Sequence, residues 1–241
     1  MKGVILAGGH ATRMRPVTKS TNKHLLPIGR RAMIEYPLHV LKMCGIKEIL
    51  VVTGAGHVGD IVNYLGSGKE YGVNFTYKVQ DEAGGVAQAL SLAEHFSQGS
   101  KLMVVLGDNI MRDNFKKEVE NFAKRDKGAH IFLKQVKGDI TRYGVAEVKG
   151  NKVVSIEEKP KHPKSNYVVT GTYLYDSDVF DAIKKLKPSA RGEYEITDVN
   201  NAYVKKGLMT FSVIKGPWTD AGTFETYARA NELAYEGKLD F

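Results

Sequence analysis

Gly3-Val4-Ile5-Leu6-Ala7-Gly8-Gly9-His10-Ala11-Thr12-Arg13-Met14-Arg15-Pro16 is the stretch from which the fold of this chain can be read. Residues 3–7 form a short apolar run rich in aliphatic side chains, the pattern of a strand buried on both faces. Gly8 and Gly9 follow at once. Glycines at the end of a first strand let the backbone come close to a ligand, and successive N–H groups can cradle phosphate oxygens. The third glycine of the G-x-G-x-x-G dinucleotide fingerprint is absent, and no G-K-[ST] of a Walker A loop follows. Cations follow instead: Arg13, Arg15, Lys19 and Lys23. Arg13 can fork onto a triphosphate, and Lys23 can serve as a point charge on one phosphate. Two glycines alone would be a tight turn. With Thr12, Arg13 and Lys23 behind them, they read as a phosphate-binding loop.

Outward from this loop, short Val/Ile/Leu-rich runs at 48–53, 74–79 and 102–106 alternate with helical patterns at 33–43, 57–65 and 86–96. Strand and helix in alternation predict parallel strands with crossover helices, hence an α/β sheet covered on both faces. Ligands of such sheets bind at the C-terminal edge of the strands. Pro37 falls inside the first helical pattern and predicts a start just before it or a kink. The second half reads differently. Residues 144–148 and 152–156 flank Lys149-Gly150-Asn151, a hairpin turn. A strand over 168–175, helices over 177–186 and near 199–206, a strand over 210–214 and a helix over 223–235 complete the chain. No repeat or Pro/Gly-rich linker divides it.

Composition bounds the function. The 241 residues are 42% hydrophobic and 26% charged, enough for a packed core. The apolar runs are far shorter than the roughly 20 residues that cross a bilayer. The N-terminal apolar stretch is also too short for a signal peptide, with His10, Arg13 and Arg15 close behind. The single cysteine, Cys44, excludes an internal disulfide framework, is expected to be buried, and fits a reducing compartment. Cytoplasm is the expected location. Lys and Arg outnumber Asp and Glu by 35 to 27. The cations are spread out, so a nucleic-acid tail is not expected, and neither nucleic acid nor membrane is an expected partner. The histidines show no metal spacing; His10 and His57 read as loop or cap residues. Trp218 reads as a packing residue.

Leu6-Ala7-Gly8-Gly9-x-x-Thr12-Arg13-Met14, Pro16 and Lys23-x-Leu25-Leu26-Pro27-Ile28 resemble the opening signature of the sugar-1-phosphate nucleotidyltransferases. The resemblance continues through Gln80-x-x-x-x-Gly85-x-Ala87-Gln88-Ala89, Leu106-Gly107-Asp108-Asn109 and Arg142-Tyr143-Gly144-Val145. It reaches Glu157-Glu158-Lys159-Pro160, Tyr167-Val168-Val169-Thr170-Gly171-x-Tyr173, Lys187-Pro188-Ser189-Ala190-Arg191-Gly192-Glu193 and Trp218-x-Asp220-x-Gly222-Thr223. Each motif is weak alone; their joint order is specific and covers nearly the whole chain. Within the family the likeness is greatest to the glucose-1-phosphate thymidylyltransferases.

The resemblance implies a Rossmann-like mixed, mostly parallel sheet flanked by helices, with sugar-binding insertions after Asp108. It implies one domain over 1–241, with 1–110 mainly nucleotide-binding and 111–241 mainly sugar-binding. It implies transfer of a nucleotidyl group from dTTP to glucose 1-phosphate, feeding dTDP-rhamnose or another dTDP-sugar route. Arg13 and Lys23 would be catalytic. Leu6, Gly8, Gly9, Thr12, Gln80 and Gly85 would bind the nucleotide. Gly144, Glu158, Lys159, Val169 and Arg191 would bind the sugar phosphate. Asp108 and Asp220 would hold Mg²⁺, a hard cation that suits carboxylates and phosphate oxygens. Other bases or sugars, UTP first among them, and a non-catalytic nucleotide-sugar-binding protein are the alternatives.

Two positions depart from the family pattern. Ala11 stands where glycine is usual; if that position needs positive φ, alanine costs on the order of 1 kcal/mol. His24 stands where thymidylyltransferases often carry glutamine. Longer members also continue past the point matching Phe241 with helices that help build an intersubunit regulatory site. The expectation for this chain is therefore a possible homo-oligomer without a separate feedback site, inhibited by dTDP-rhamnose only through the active site.

Overall fold

The computed structural model describes residues 1–9 and 11–241; His10, read as a loop or cap residue, lies outside the described residues. The first half carries β1 (Lys2–Ala7), two short strands β2 (Pro27–Ile28) and β3 (Arg31–Ala32), β4 (Glu48–Gly54), β5 (Asn74–Gln80) and β6 (Leu102–Leu106). Between them lie α1 (Glu35–Met43), α2 (Val58–Leu65), α3 (Val86–Ser91) and α4 (Glu94–Ser97). The second half runs β7 (Asn109–Met111), α5 (Lys116–Ala123), β8 (Ala129–Gln135), β9 (Gly144–Lys149), β10 (Lys152–Glu158) and β11 (Tyr167–Tyr175). It ends with α6 (Val179–Lys184), α7 (Ile196–Lys205), β12 (Met209–Val213), β13 (Trp218–Asp220) and α8 (Phe224–Tyr235).

One nine-stranded sheet runs β10-β9-β11-β6-β1-β4-β5, with β8 paired to β11 and β12 paired to β8. β1 lies parallel between β4 and β6, and β5 is parallel to β4. β11 joins this parallel block antiparallel to β6. Alternation along the central strands builds both faces. Val4, Leu50 and Val104 join one buried cluster. Ile5, Val51 and Val105 join another on the opposite face. This is the two-sided burial that short continuous apolar strands predict.

Local signals place most ends. Pro37 is the third residue of α1, where its fixed φ suits a first turn. β9 and β10 pair antiparallel with Lys149 opposite Lys152, so Gly150-Asn151 makes the tight turn. The pattern over 86–96 is not one helix but two. Ser91 Oγ donates back to Gln88 O at 2.7 Å, and Leu92 N and Ala93 N turn to carbonyls three residues back. That tightening ends α3 before α4 begins. α5, β7, β8 and β13 have no counterpart in the sequence reading. β8 escapes it because Ile131-Phe132-Leu133 is a short apolar run between His130 and Lys134, too brief to declare its period.

Candidate active site

Parallel pairing of β1 with β6 sets Leu6 beside Leu106, so the glycine loop and Gly107-Asp108 emerge side by side. Gly107 N donates to Leu6 O at 2.8 Å, fastening the two loops. Gln80 ends β5 on the same edge. It explains Gly8: a Cβ there would lie 2.2 Å from Gln80 Oε1. The Gln80 amide donates to Gln88 Oε1 at 2.6 Å and to Gly85 O at 3.4 Å. Gly85 has φ 98° and packs against the Tyr194 backbone, so a side chain there is excluded twice over. A Gly8→Ala variant should displace the end of the Gln80 side chain and break its hydrogen bonds to Gln88 and Gly85, each a loss of about 1 kcal/mol. If the loop binds nucleotide as the resemblance implies, the expected result is about a tenfold rise in KM for the nucleotide, with a smaller change in kcat, measured by steady-state kinetics.

Ala11 sits in the left-handed region at φ 45°, so the alanine does occupy a strained backbone position. The turn that follows carries Thr12 and Arg13, both exposed. Lys23 lies on a later turn whose start is capped by Asn22, whose Oδ1 accepts from His24 N at 2.9 Å. His24 Nδ1 is 2.8 Å from the same oxygen. The amide oxygen of Asn22 can only accept, so the ring proton belongs on Nδ1. Lys23 Nζ donates to Asp108 Oδ2 at 2.5 Å. Burial would push the Asp108 carboxyl up, but Lys23 and then His24 and Arg13 pull against it and hold it at about 2.

Burial, with Lys23 beside it, lowers His24 to about 3. Burial also lowers His130 to about 4. Folded, these rings stay neutral where the unfolded chain would take up protons. The stability they contribute is full above their ordinary value near 6.5 and is lost as pH falls toward those lowered values. The urea midpoint should therefore drop between about pH 7.5 and about pH 5, and His24→Gln should narrow that drop.

Asp220 reaches Asp108 through a strand pair that the sequence reading lacked. β13 pairs with β7, setting Asp220 opposite Asn109. Ala221 N donates to Asp108 O at 2.9 Å. α8 begins directly afterwards on a Thr223–Thr226 capping box, which fixes the segment. Asp220 Oδ1 accepts from Arg142 Nη2 at 2.9 Å and from Tyr143 Oη at 2.6 Å. Burial, then the Asp220 charge, pushes the Tyr143 hydroxyl well up, so it stays a donor.

The other residues assigned to the sugar phosphate stand opposite. Glu158 ends β10, and its Oε2 accepts from Thr197 Oγ1 at 2.6 Å. Burial raises the Glu158 carboxyl. Gly144 faces it: a Cβ there would be 3.3 Å from Glu158 Oε2. Lys159 is held at φ 48° and donates its N–H to Tyr143 O at 3.0 Å. Left-handed non-glycine residues of this kind gather at functional sites. Val169 lies where β11 shifts register, and Gly171, φ 71°, makes the bend because Asn109 and Leu106 leave no room for a side chain. Arg191 is not a free cation here. Its Nη2 is 2.7 Å from Glu195 Oε1 and 3.5 Å from both Glu158 and Glu193 carboxylates.

Two adjoining hollows collect the assigned residues. One of ≈ 420 Å³ is lined by Leu6, Gly8, Gly9, Thr12, Arg13, Lys23, Gln80, Gly85, Asp108 and Lys159. Its neighbour of ≈ 200 Å³ is lined by Arg13, Asp108, Gly144, Glu158, Lys159, Val169, Arg191 and Asp220. Arg13, Asp108 and Lys159 line both. The structure thus brings together every residue the sequence reading assigned to the site. It adds Tyr143 and Arg142, which that reading quoted only inside a motif, and Asn109, whose Oδ1 accepts from Trp218 Nε1 at 2.8 Å. Trp218 also packs near Tyr143, 5.6 Å between ring centres. Cys44 is buried, its thiol pushed up to about 12 by that burial. Among the described residues no three His, Cys, Asp or Glu side chains are arranged to hold a metal unaided. None of their helices is long and apolar enough to cross a membrane.

Comparison with known proteins gives the same direction. The family described as nucleotidyl transferase matches residues 2–237. A glucose-1-phosphate thymidylyltransferase of Neisseria meningitidis serogroup A is 42% identical over 234 residues, 95% of this chain and 81% of its own. One of Mycolicibacterium smegmatis is 41% identical over 237 residues, 97% of this chain and 82% of its own. A crystal structure of a Bacillus anthracis protein, described as a candidate glucose-1-phosphate thymidylyltransferase and bound to sucrose, superposes with a TM-score of 0.93. It is 55% identical and covers 97% of this chain and 95% of its own.

Proposed function

The chain belongs to the nucleotidyl transferase family, and from that premise we propose that it joins dTTP to α-D-glucose 1-phosphate, giving dTDP-glucose and pyrophosphate. The observation that carries this reading is the meeting of two hollows, one floored by the glycine loop and Gln80, the other by Glu158 and Gly144, at Arg13, Asp108 and Lys159. The names of its relatives point to the same pair of substrates. In this reading residues 1–110 mainly bind nucleotide and 111–241 mainly bind sugar.

A phosphate oxygen of glucose 1-phosphate attacks the α-phosphorus of dTTP, the bond to the β-phosphate breaks, and pyrophosphate leaves. The nucleophile is already an anion, so no general base is needed. The chain's task is to bring two anions together and stabilise charge that develops between them. Leu6, Gly8, Gly9 and Thr12 line the triphosphate side, and Gln80 with Gly85 meets the base. Gln80 offers an amide edge to a pyrimidine. Gly144, Glu158 and Val169 meet the sugar, and Lys159 and Arg191 face its phosphate. Arg13 and Lys23 stand where the phosphates meet.

Family members of this kind generally depend on a divalent metal. The donor set here suits Mg²⁺: Asp108 Oδ1 accepts no hydrogen bond from the described residues, and Asp220 Oδ2 accepts a single long one, 3.2 Å, from Gly222 N. Asp108 and Asp220 would hold Mg²⁺, which when bound would supply charge neutralisation at the leaving pyrophosphate. The direct test is to mix the enzyme with dTTP, glucose 1-phosphate and Mg²⁺ and identify the product by mass. dTDP-glucose is expected; dTDP or dTMP with free sugar phosphate would mean hydrolysis instead.

A further inference from the structure

Asp220 is gripped by two side chains that the reaction above does not use. Arg142 and Tyr143 both donate to Oδ1, at 2.9 Å and 2.6 Å. The other oxygen, Oδ2, accepts a long hydrogen bond, 3.2 Å, from Gly222 N, and Arg13 lies on the same side: a Cβ built on Gly222 would lie 2.7 Å from Asp220 Oδ2 and 3.2 Å from Arg13 Nη2. Arg13 in turn lines both hollows with Asp108. The terminal torsion of an aspartate is broad and roughly two-fold, so a carboxylate held only by the long bond from Gly222 N would turn more freely. The grip itself is anchored on both sides. Tyr143 packs near Trp218, and Arg142 Nη1 reaches Thr223 Oγ1, the cap of α8, at 3.4 Å.

We infer that Arg142 and Tyr143 are positioning residues that turn Asp220 so that Oδ2 faces the metal and the triphosphate. The inference rests on the metal reading given under Proposed function. Hydrogen-bond partners of metal ligands set ligand orientation, and their loss commonly costs 10–100-fold in metal affinity. Tyr143 separates orientation from charge. Tyr143→Phe removes one donor, keeps the ring beside Trp218 and leaves the net charge alone. Arg142→Lys keeps the charge but loses the fork that reaches Asp220 and Thr223 together.

The test is dTTP binding by calorimetry, with and without Mg²⁺, in the absence of sugar phosphate so that nothing turns over. Mg²⁺ should tighten dTTP binding to the unaltered chain. In Tyr143→Phe that gain should shrink about tenfold, while binding without Mg²⁺ stays unchanged. Arg142→Lys should shrink it too and offers a second route should Tyr143→Phe melt early. Asp220→Asn, run alongside, should lose the gain altogether. A full gain in both Tyr143→Phe and Arg142→Lys, with the gain lost in Asp220→Asn, overturns the positioning role. A gain that survives in Asp220→Asn overturns the metal reading, and the inference with it.

Discussion

Asp108→Asn and Asp220→Asn should each yield a folded protein that has lost about 99% or more of its turnover. A neutral amide is a poor ligand for a hard cation. The metal's stabilisation of transition-state charge amounts to several kcal/mol, and each 1.4 kcal/mol is about tenfold in rate. The two variants should differ in stability. Asp108→Asn strands Lys23, whose side chain is only 12% exposed, without its carboxylate. An unpaired and largely buried charge is destabilising, so this variant should melt lower. Asp220→Asn leaves a more open Arg142, 32% exposed, and should melt closer to the unaltered chain. Pyrophosphate release and thermal melting read both effects. Near-normal turnover in either variant would remove that carboxylate from the metal site.

Arg13 and Lys23 carry the second large effect. Both should matter more to kcat than to KM, because they act on charge that grows in the transition state. Loss of one such donor typically costs about 10²–10³ in kcat. Arg13→Lys should not restore the rate, since a point charge cannot reproduce a planar fork. Lys23→Met should also release Asp108 from its 2.5 Å partner, so its loss will include a change in the carboxylate's setting. A raised KM with unchanged kcat in both variants would show uniform binding of substrate and transition state, and would refute this role.

Much of this site could be read from the chain because its signals are local. Gly8, Gly9 and Arg13 follow a strand whose apolar run is unmistakable, and Asp108 closes another. Period and turn chemistry gave the four parallel strands nearly to the residue and the Gly150 hairpin as well, but not the break between α3 and α4 or the short strands β2 and β3. The meeting of Asp108 with Asp220 could not be read, because β7 and β13 are three residues each and pair across more than a hundred positions. The same distance hides why Gly8 is glycine: only the fold shows Gln80 Oε1 in the space a Cβ would take. Ala11 was legible as a departure, and its φ of 45° gives the departure its physical meaning. Arg191 was legible as a cation but not as one surrounded by Glu158, Glu193 and Glu195. Charge partners brought in by loops leave no trace in spacing.

The pairing of a pyrimidine nucleoside triphosphate with a hexose 1-phosphate in one cleft is open to direct measurement. It is tested most directly by a panel of nucleoside triphosphates and sugar 1-phosphates, each pair assayed for pyrophosphate release by kcat/KM. dTTP with glucose 1-phosphate should rank first. UTP should be used measurably, since the thymine methyl contributes on the order of 1 kcal/mol of apolar contact, or about fivefold. Efficient release with ATP or GTP while dTTP is poor, or no release with any pair, would contradict it.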